Sequence, residues 1–386
     1  MDVETNTPAL EAQRKAHPDL GEALDRIEGY ASQKLYHQLT DELLRYLTLP
    51  PFTKAAAAGE LHDFFEGFIK AFEAKFDKIT WVQLLAIICK QQTPEKALAL
   101  IEPFEASVVG HRDAKYMWQA LKAEKLIVAG KAGDAKELLE TVGAEIEAAY
   151  EVDALIQSHF HKTNALLWKT LQRPQAFYKS SILYLAFTPL ASIPVEERSA
   201  LAFEIGVASL CAEEEFNFSE LLQQELLASI EGSYKWIMDL LQSFGEGKLE
   251  MFDDACAKNR ANIDATPELK AAEEKVLKPK IRALALMELA FRKPKKQRRL
   301  TFDEISQHCK VAMKEVEYLV MKAMCADLVH GKIDEVGQFV MITWVKPRIL
   351  DTARVDLMRG RMDVWSEQTA LLSKHLEEMT PELLVS

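Results

Sequence analysis

The sequence predicts an all-α helical-repeat solenoid, followed by a winged helix with a small β-hairpin sheet and then by a long C-terminal helix. Three observations support this fold class. Apolar residues recur at the three-to-four-residue spacing of helices through most of residues 21–291. The pattern becomes β-branched and aromatic between Leu328 and Val345, with Gly337 at the turn. From Val355 onward, an apolar seam repeats at the spacing of a coiled coil.

These patterns divide the chain into four segments. Residues 1–20 are polar and predict a disordered tail, and residues 21–291 carry the solenoid. Residues 292–350 form the predicted winged helix, and residues 351–386 form a C-terminal helix suited to a helix bundle. Apolar stripes mark the early solenoid helices: Leu35, Leu39, Leu43, Leu44 and Leu47 in one, and Leu61, Phe64, Phe65, Phe68, Ile69, Phe72 and Phe76 in the next.

The clearest pair of solenoid helices lies at Tyr116–Ile146. The first helix ends at Gly130, and Asp134 is expected to cap the second helix after a short turn. Ala135 places a small side chain where the two helices cross. Such a tetratricopeptide-like hairpin cannot bury its apolar side alone, so neighbouring hairpins stack on one another. No strict repeat length is present, so the repeats are expected to be degenerate.

The winged-helix segment opens with a helix-start signal, because Thr301 and Glu304 have the spacing of a capping box. A second helix, which begins near Met313, stands in the recognition position before the hairpin. It carries Lys314 and Lys322 but no Arg, Asn or Gln to read base edges, and acidic residues nearly cancel its charge. We therefore interpret the winged helix as a protein-binding module rather than a DNA reader.

The C-terminal seam steps alternately by three and four residues and is interrupted by one polar residue, Thr369. Burying each large apolar side chain is worth roughly 1.5–3 kcal/mol, so the seam requires a partner surface. Folding back onto the same chain is one solution, and the regular spacing favours a bundle with other chains. The seam consists of Val355, Met358, Met362, Trp365, Thr369, Leu372, Leu376 and Met379.

The composition disfavours several classes of partner. The chain has 386 residues, of which 48% are hydrophobic, enough for a sizeable core. Its net charge of −12 disfavours general binding to nucleic acids and anionic membranes, since phosphate groups repel it. The five cysteines form no CxxC pair, which is typical of reduced intracellular thiols. With no signal peptide and no apolar run of the ~20 residues that span a membrane, the protein is expected in the cytoplasm and nucleus.

No catalytic or metal-binding motif is complete. His159 and His161 begin an HxHx7SxxD metallopeptidase pattern, but Lys169 and Gln172 occupy its serine and aspartate positions. The stretch Gly245–Lys248 lacks the first glycine and the Ser or Thr of a phosphate-binding Walker loop, so it is interpreted as a turn between helices. We expect no enzyme activity, no cofactor and no metal. The basic run at residues 292–299 has three open interpretations: a nuclear import signal, a nucleic-acid contact or a solvated linker.

Five stretches of this sequence resemble a known family. They are Lys34–Thr40, Phe216–Leu222, Leu300–Ile305, Glu315–Ala323 and Thr343–Arg348. They are scattered, in the same order, over nearly the whole chain beyond the tail, and they resemble the PCI-domain subunits of the proteasome lid. The same domain builds the signalosome and a translation initiation factor complex. Its layout of helical hairpins leading into a winged helix matches the fold predicted above, with the helical part of the domain inside the solenoid segment.

The resemblance implies a non-catalytic structural subunit that scaffolds lid assembly for ATP-dependent degradation of ubiquitinated proteins. Implied partners are the other lid subunits, both PCI-type and metallopeptidase-type, and the proteasome base, with neither membrane nor nucleic acid among them. In this family the winged helices join edge to edge and the C-terminal helices form a bundle. A PCI subunit of another complex is the alternative, and a nucleic-acid-binding winged helix is less favoured. The candidate partner-interface residues are Lys332, Ile333, Phe339, Met341, Val355, Met358, Met362, Trp365, Leu372 and Leu376.

Overall fold

The structure, a computed structural model, forms two compact units, Met1–Ser192 and Ile193–Ser386. Their boundary lies inside the range predicted as one solenoid. The predicted fold class is confirmed: helical repeats, a winged helix with a small sheet, and a C-terminal helix. The residues described are 7–49, 58–73, 75–90, 92–108, 110–149, 151–230, 232–293, 298–347 and 352–379.

The described residues of the first unit are mostly helical. Helices α8 and α9 pack against each other, as do α10 and α11. The helices are α1 (Thr7–Ala16), α2 (Gly21–Ser32), α3 (Tyr36–Leu47), α4 (Ala58–Gly67), α5 (Lys78–Cys89), α6 (Pro94–Ile101), α7 (Glu105–Val108), α8 (Arg112–Val128), α9 (Ala132–Ala148), α10 (Ala154–Thr170) and α11 (Pro174–Phe187).

Helix α1 corrects the prediction of a disordered tail over residues 1–20. Leu10 is buried in the core of the first unit. Gln13 is also buried, and its Oε1 accepts a hydrogen bond from the hydroxyl of Tyr46 at 3.3 Å. Arg14 forms an ion pair with Glu28 at 2.6 Å. Contacts of one apolar and two polar side chains therefore hold in place a segment whose polar composition predicts disorder. Residues 1–6 lie outside the described part of the chain.

The aromatic stripe predicted after residue 60 forms the centre of this core. Its seven members are all buried, and the Phe65 ring lies 5.6 Å from that of Trp81. Leu35 does not belong to its own predicted stripe: it is 40% exposed, because α3 begins only at Tyr36. Asp134 does not cap α9 either, since this helix already begins at Ala132. Its carboxylate lies in the first turn, where negative charge still complements the helix dipole.

The second unit begins with helices and ends with the winged helix and a separate terminal helix. A π-helical turn, Glu273–Leu277, precedes α19, where Pro279 has no N–H to continue α-helical bonding. The helices before the sheet are α12 (Val195–Cys211), α13 (Phe218–Leu222), α14 (Glu225–Ala228), α15 (Trp236–Glu246), α16 (Leu249–Lys258), α17 (Arg260–Ala265), α18 (Pro267–Ala272) and α19 (Lys278–Arg292). The remaining elements are β1 (Arg299–Thr301), α20 (Phe302–Cys309), α21 (Met313–Cys325), β2 (Val329–Asp334), β3 (Phe339–Val345) and α22 (Thr352–Met379).

The winged helix contains the predicted capping box and hairpin, and it adds one strand. The Thr301 side chain accepts from the Glu304 N–H, and the Glu304 carboxylate accepts from the Thr301 N–H, as the spacing predicts. Strand β1 pairs antiparallel with β3, so the sheet order is β1-β3-β2. Sequence patterns predict only β2 and β3, because three residues are too few to display a strand period.

Candidate partner-binding surfaces

The register of the sheet places the four candidate hairpin residues on two different faces. Cross-strand partners share a face, and Met341 pairs with Arg299 on β1 and with Lys332 on β2. Phe339, two residues before Met341, lies on that same face. Ile333 instead pairs with Val340, which is fully buried. Ile333 therefore faces the core of the winged helix, and the other three face outward.

A bulge extends the outward surface. The register shifts between His330 and Gly331, which leaves Thr343 as an extra residue on β3. Trp344 consequently lies on the same side as Met341, and its ring stacks on the His330 imidazole at 4.6 Å. Only glycine fits at 331, because a Cβ there would lie 2.3 Å from the carbonyl oxygen of Met341. We define the outer face as Arg299, His330, Lys332, Asp334, Phe339, Met341 and Trp344, where Asp334 is included because it pairs with Phe339.

The two edges of the sheet differ in their availability to a partner strand. At the β1 edge, Lys293 Nζ donates to the carbonyl of Arg299 at 3.2 Å, and Glu304 Oε2 accepts from the Thr301 N–H at 3.0 Å. These contacts occupy backbone groups that strand addition would need. Among the described residues, β2 pairs only with β3, so its far edge, which includes Lys332, is the edge open to strand addition.

Helix α22 presents the predicted seam to solvent. The six seam residues proposed for partner contact are between 45% and 67% exposed. Sequence reasoning missed Val364 and Leu371, which are also exposed and lie seven residues apart. They form a second apolar row beside the seam, and their heptad spacing is the signal that would have found them. The apolar side of α22 is thus wider than a two-helix contact requires, which favours packing against more than one helix.

The histidine pair is a packing feature. Burial lowers the pKa of both His159 and His161, which favours neutral imidazoles. The His161 ring stacks on Phe187 at 5.7 Å. Across the described residues, no group of three or more His, Cys, Asp or Glu side chains is arranged to hold a metal ion. The Gly245–Lys248 stretch is a helix end, as predicted, since Gly247 adopts φ 69° at the end of α15.

Lys280 is an unpredicted buried cation in the second unit. This side chain of α19 is 3% exposed, and its Nζ donates to the carbonyls of Ser209, Leu210 and Ala212 at 2.8, 3.4 and 2.6 Å. These carbonyls lie at the end of α12, where they have no partner within the helix. The ammonium also lies 4.7 Å from the centre of the Phe218 ring. Burial lowers the pKa of Lys280 to about 7.

The basic run is only partly described, since residues 294–297 lie outside the described ranges. Arg292 pairs with Glu288 at 3.3 Å, and Lys293 pairs with Glu304 at 2.8 Å. Two cations of the run therefore have acidic partners outside it. The import interpretation stays a prediction. Among the described residues, no helix is both long enough and apolar enough to cross a membrane.

Comparison with known proteins extends over almost the whole chain. Residues 23–241 match the family of PSD13 N-terminal repeats, and residues 261–344 match the PCI domain. A relative from Dictyostelium discoideum, the 26S proteasome non-ATPase regulatory subunit 13, is 28% identical over 97% of each chain. Homolog B of that subunit from Arabidopsis thaliana is 29% identical over 98% of each chain. Subunit M of eukaryotic translation initiation factor 3 from Coccidioides immitis is 24% identical over 49% of this chain and 39% of its own. The resemblance stated from the residues is confirmed.

Proposed function

We propose that this chain, which belongs to the family of PSD13 N-terminal repeats and carries a PCI domain, is a structural subunit of the proteasome regulatory-particle lid. The observation that carries this proposal is the similarity to relatives named as 26S proteasome regulatory subunits, which spans 97–98% of both chains. The likeness to the initiation factor subunit covers 49% of this chain, and so supports that alternative less.

The proposed role is to hold neighbouring subunits together rather than to perform chemistry. Two surfaces support it: the open β2 edge, which includes Lys332, and the exposed apolar side of α22. Strand addition supplies backbone hydrogen bonds, and helix packing buries apolar area. The partners are other lid subunits, of PCI and metallopeptidase type, and the base, in the cytoplasm and nucleus. Through them the chain supports ATP-dependent degradation of ubiquitinated proteins without catalysing it.

Depletion of the chain from its own cells tests this function. Loss of a scaffold is expected to reduce complete 26S particles at least several-fold on native gels and to raise the level of ubiquitin conjugates. Free core particles are expected to persist, since the chain does not build them. Re-expression of the full chain should restore the complete particles. Normal amounts of 26S particle after depletion would contradict the proposal.

A further inference from the structure

The outer face of the winged-helix sheet carries two exposed cations on either side of an apolar side chain. Arg299, Met341 and Lys332 lie in one cross-strand row over β1, β3 and β2. Met341 is 42% exposed at its centre. Strands are ~4.8 Å apart, so the two cationic residues stand about 10 Å from each other along the row.

The two cations of the row outnumber the one described carboxylate on the outer face, Asp334, which pairs with neither of them. Asp334 Oδ1 accepts from the Gly337 N–H at 2.7 Å, and Asp327 pairs with His330 at 3.1 Å. The Arg299 guanidinium lies over the Phe339 ring at 3.7 Å, a contact that leaves its charge uncompensated. Within the described residues, neither Arg299 nor Lys332 pairs with a carboxylate. In a chain of net charge −12, two such cations beside an exposed methionine indicate a negatively charged partner.

We propose that the outer face binds an acidic amphipathic helix of a partner protein, with two carboxylates about two turns apart and an apolar residue between them. Side chains seven residues apart on a helix lie roughly 10.5 Å from each other on one side, at ~1.5 Å rise per residue. This is close to the ~10 Å between the backbone positions of Arg299 and Lys332. The residue one turn in from either carboxylate then meets Met341. On an extended strand, same-face residues lie about 7 or 13 Å apart, which does not match.

Nucleic acid fits this surface less well than an acidic helix. Single strands bind sheets chiefly by stacking bases on exposed aromatic rings. Here Phe339 already carries the Arg299 guanidinium, and Trp344 carries the His330 imidazole. The outer face is also distinct from the β2 edge of the proposed function, because side chains rather than backbone groups form it.

Zero-length carbodiimide cross-linking tests this inference in the assembly purified through a tag on the full chain. This reagent joins lysine to a carboxylate only where the two are in contact. We expect Lys332 to cross-link to an Asp or Glu of another chain, with a second acidic residue seven positions from it. Arg299→Glu should lower the yield of this Lys332 cross-link at least tenfold. The matched control is Lys314→Glu on α21, an exposed lysine of the same domain, and should leave the yield unchanged.

A charge exchange gives the decisive outcome. Lys332→Glu should weaken the contact, and changing the cross-linked carboxylate of the partner to lysine should restore it. If the chain enters its assembly normally but Lys332 reaches no carboxylate of another chain, the inference is overturned while the proposed function stands. Ultraviolet cross-linking of Trp344 to nucleic acid, lost in Arg299→Glu, would also overturn it. Absence of proteasome subunits from the assembly would instead contradict the proposed function alone.

Discussion

Changing Met362 and Trp365 to aspartate is expected to leave the isolated chain folded and to exclude it from its assembly. Both side chains are at least 60% exposed, so the free chain loses no core packing. Buried in a helix bundle, each of these two side chains would contribute roughly 1.5–3 kcal/mol of binding free energy. Their loss alone therefore predicts a dissociation constant higher by about two to four orders of magnitude. Buried aspartates would weaken the contact further. Co-purification of the tagged variant with its partners, together with circular dichroism of the free chain, measures both expectations.

A matched control distinguishes the loss of seam contacts from a general effect of adding negative charge to α22. Ala370→Asp and Lys374→Gln lower the charge of α22 by the same two units, at exposed positions that belong neither to the seam nor to the row of Val364 and Leu371. This variant should assemble like the unmodified chain. Normal assembly of the seam variant would show that α22 does not hold the subunit, and equal loss in both variants would point to a general effect of charge.

Lys280→Met is expected to destabilise the second unit, by an amount that grows with pH. At pH 9 the folded side chain is neutral, and its removal leaves buried carbonyls at the end of α12 without a donor, at a cost of about 2–4 kcal/mol. Because burial lowers the pKa of Lys280 to about 7, the unfolded chain binds a proton between pH 7 and 10.5 that the folded chain does not. The unmodified protein therefore loses up to about 1.4 kcal/mol of stability for each pH unit as pH falls through this window.

Urea unfolding of both proteins at pH 7 and pH 9 measures this effect. The difference between their free energies of unfolding should increase by about 2–3 kcal/mol from the lower to the higher pH. Lys278→Met is the control, since Lys278 lies on the same helix but its side chain is 39% exposed. A difference that does not change with pH would mean that Lys280 stays charged in the folded protein throughout this range.

Elements with strong local signals could be predicted from the sequence. The capping box at Thr301 depends on two residues three apart, and the length of α22 follows from its repeating seam. The hairpin was visible from its β-branched residues and the turn at Gly337. In each case the residues that determine the structure are close together in the sequence.

Features that depend on distant contacts could not be predicted. Among the residues of α1 whose burial is described, Leu10 is the one buried apolar residue, so tertiary contacts rather than periodicity hold this helix. In the sequence, Lys280 cannot be told from a surface lysine, because one of the carbonyls it binds at the end of α12, that of Leu210, lies 70 residues earlier. The same holds for the outer face, because Arg299 belongs to a basic run in the sequence and meets Met341 only through the pairing of β1 with β3.

We infer that this chain is a lid subunit held in place by its terminal helix. Purification through a tag on the full chain, and on a chain that lacks residues 350–386, tests it when the co-purifying proteins are identified by mass spectrometry. We expect the full chain to bring down lid, base and core subunits of the proteasome, and the shortened chain to bring down none of them. Recovery of only signalosome or initiation-factor subunits, or of nucleic acid, with the full chain would contradict the claim.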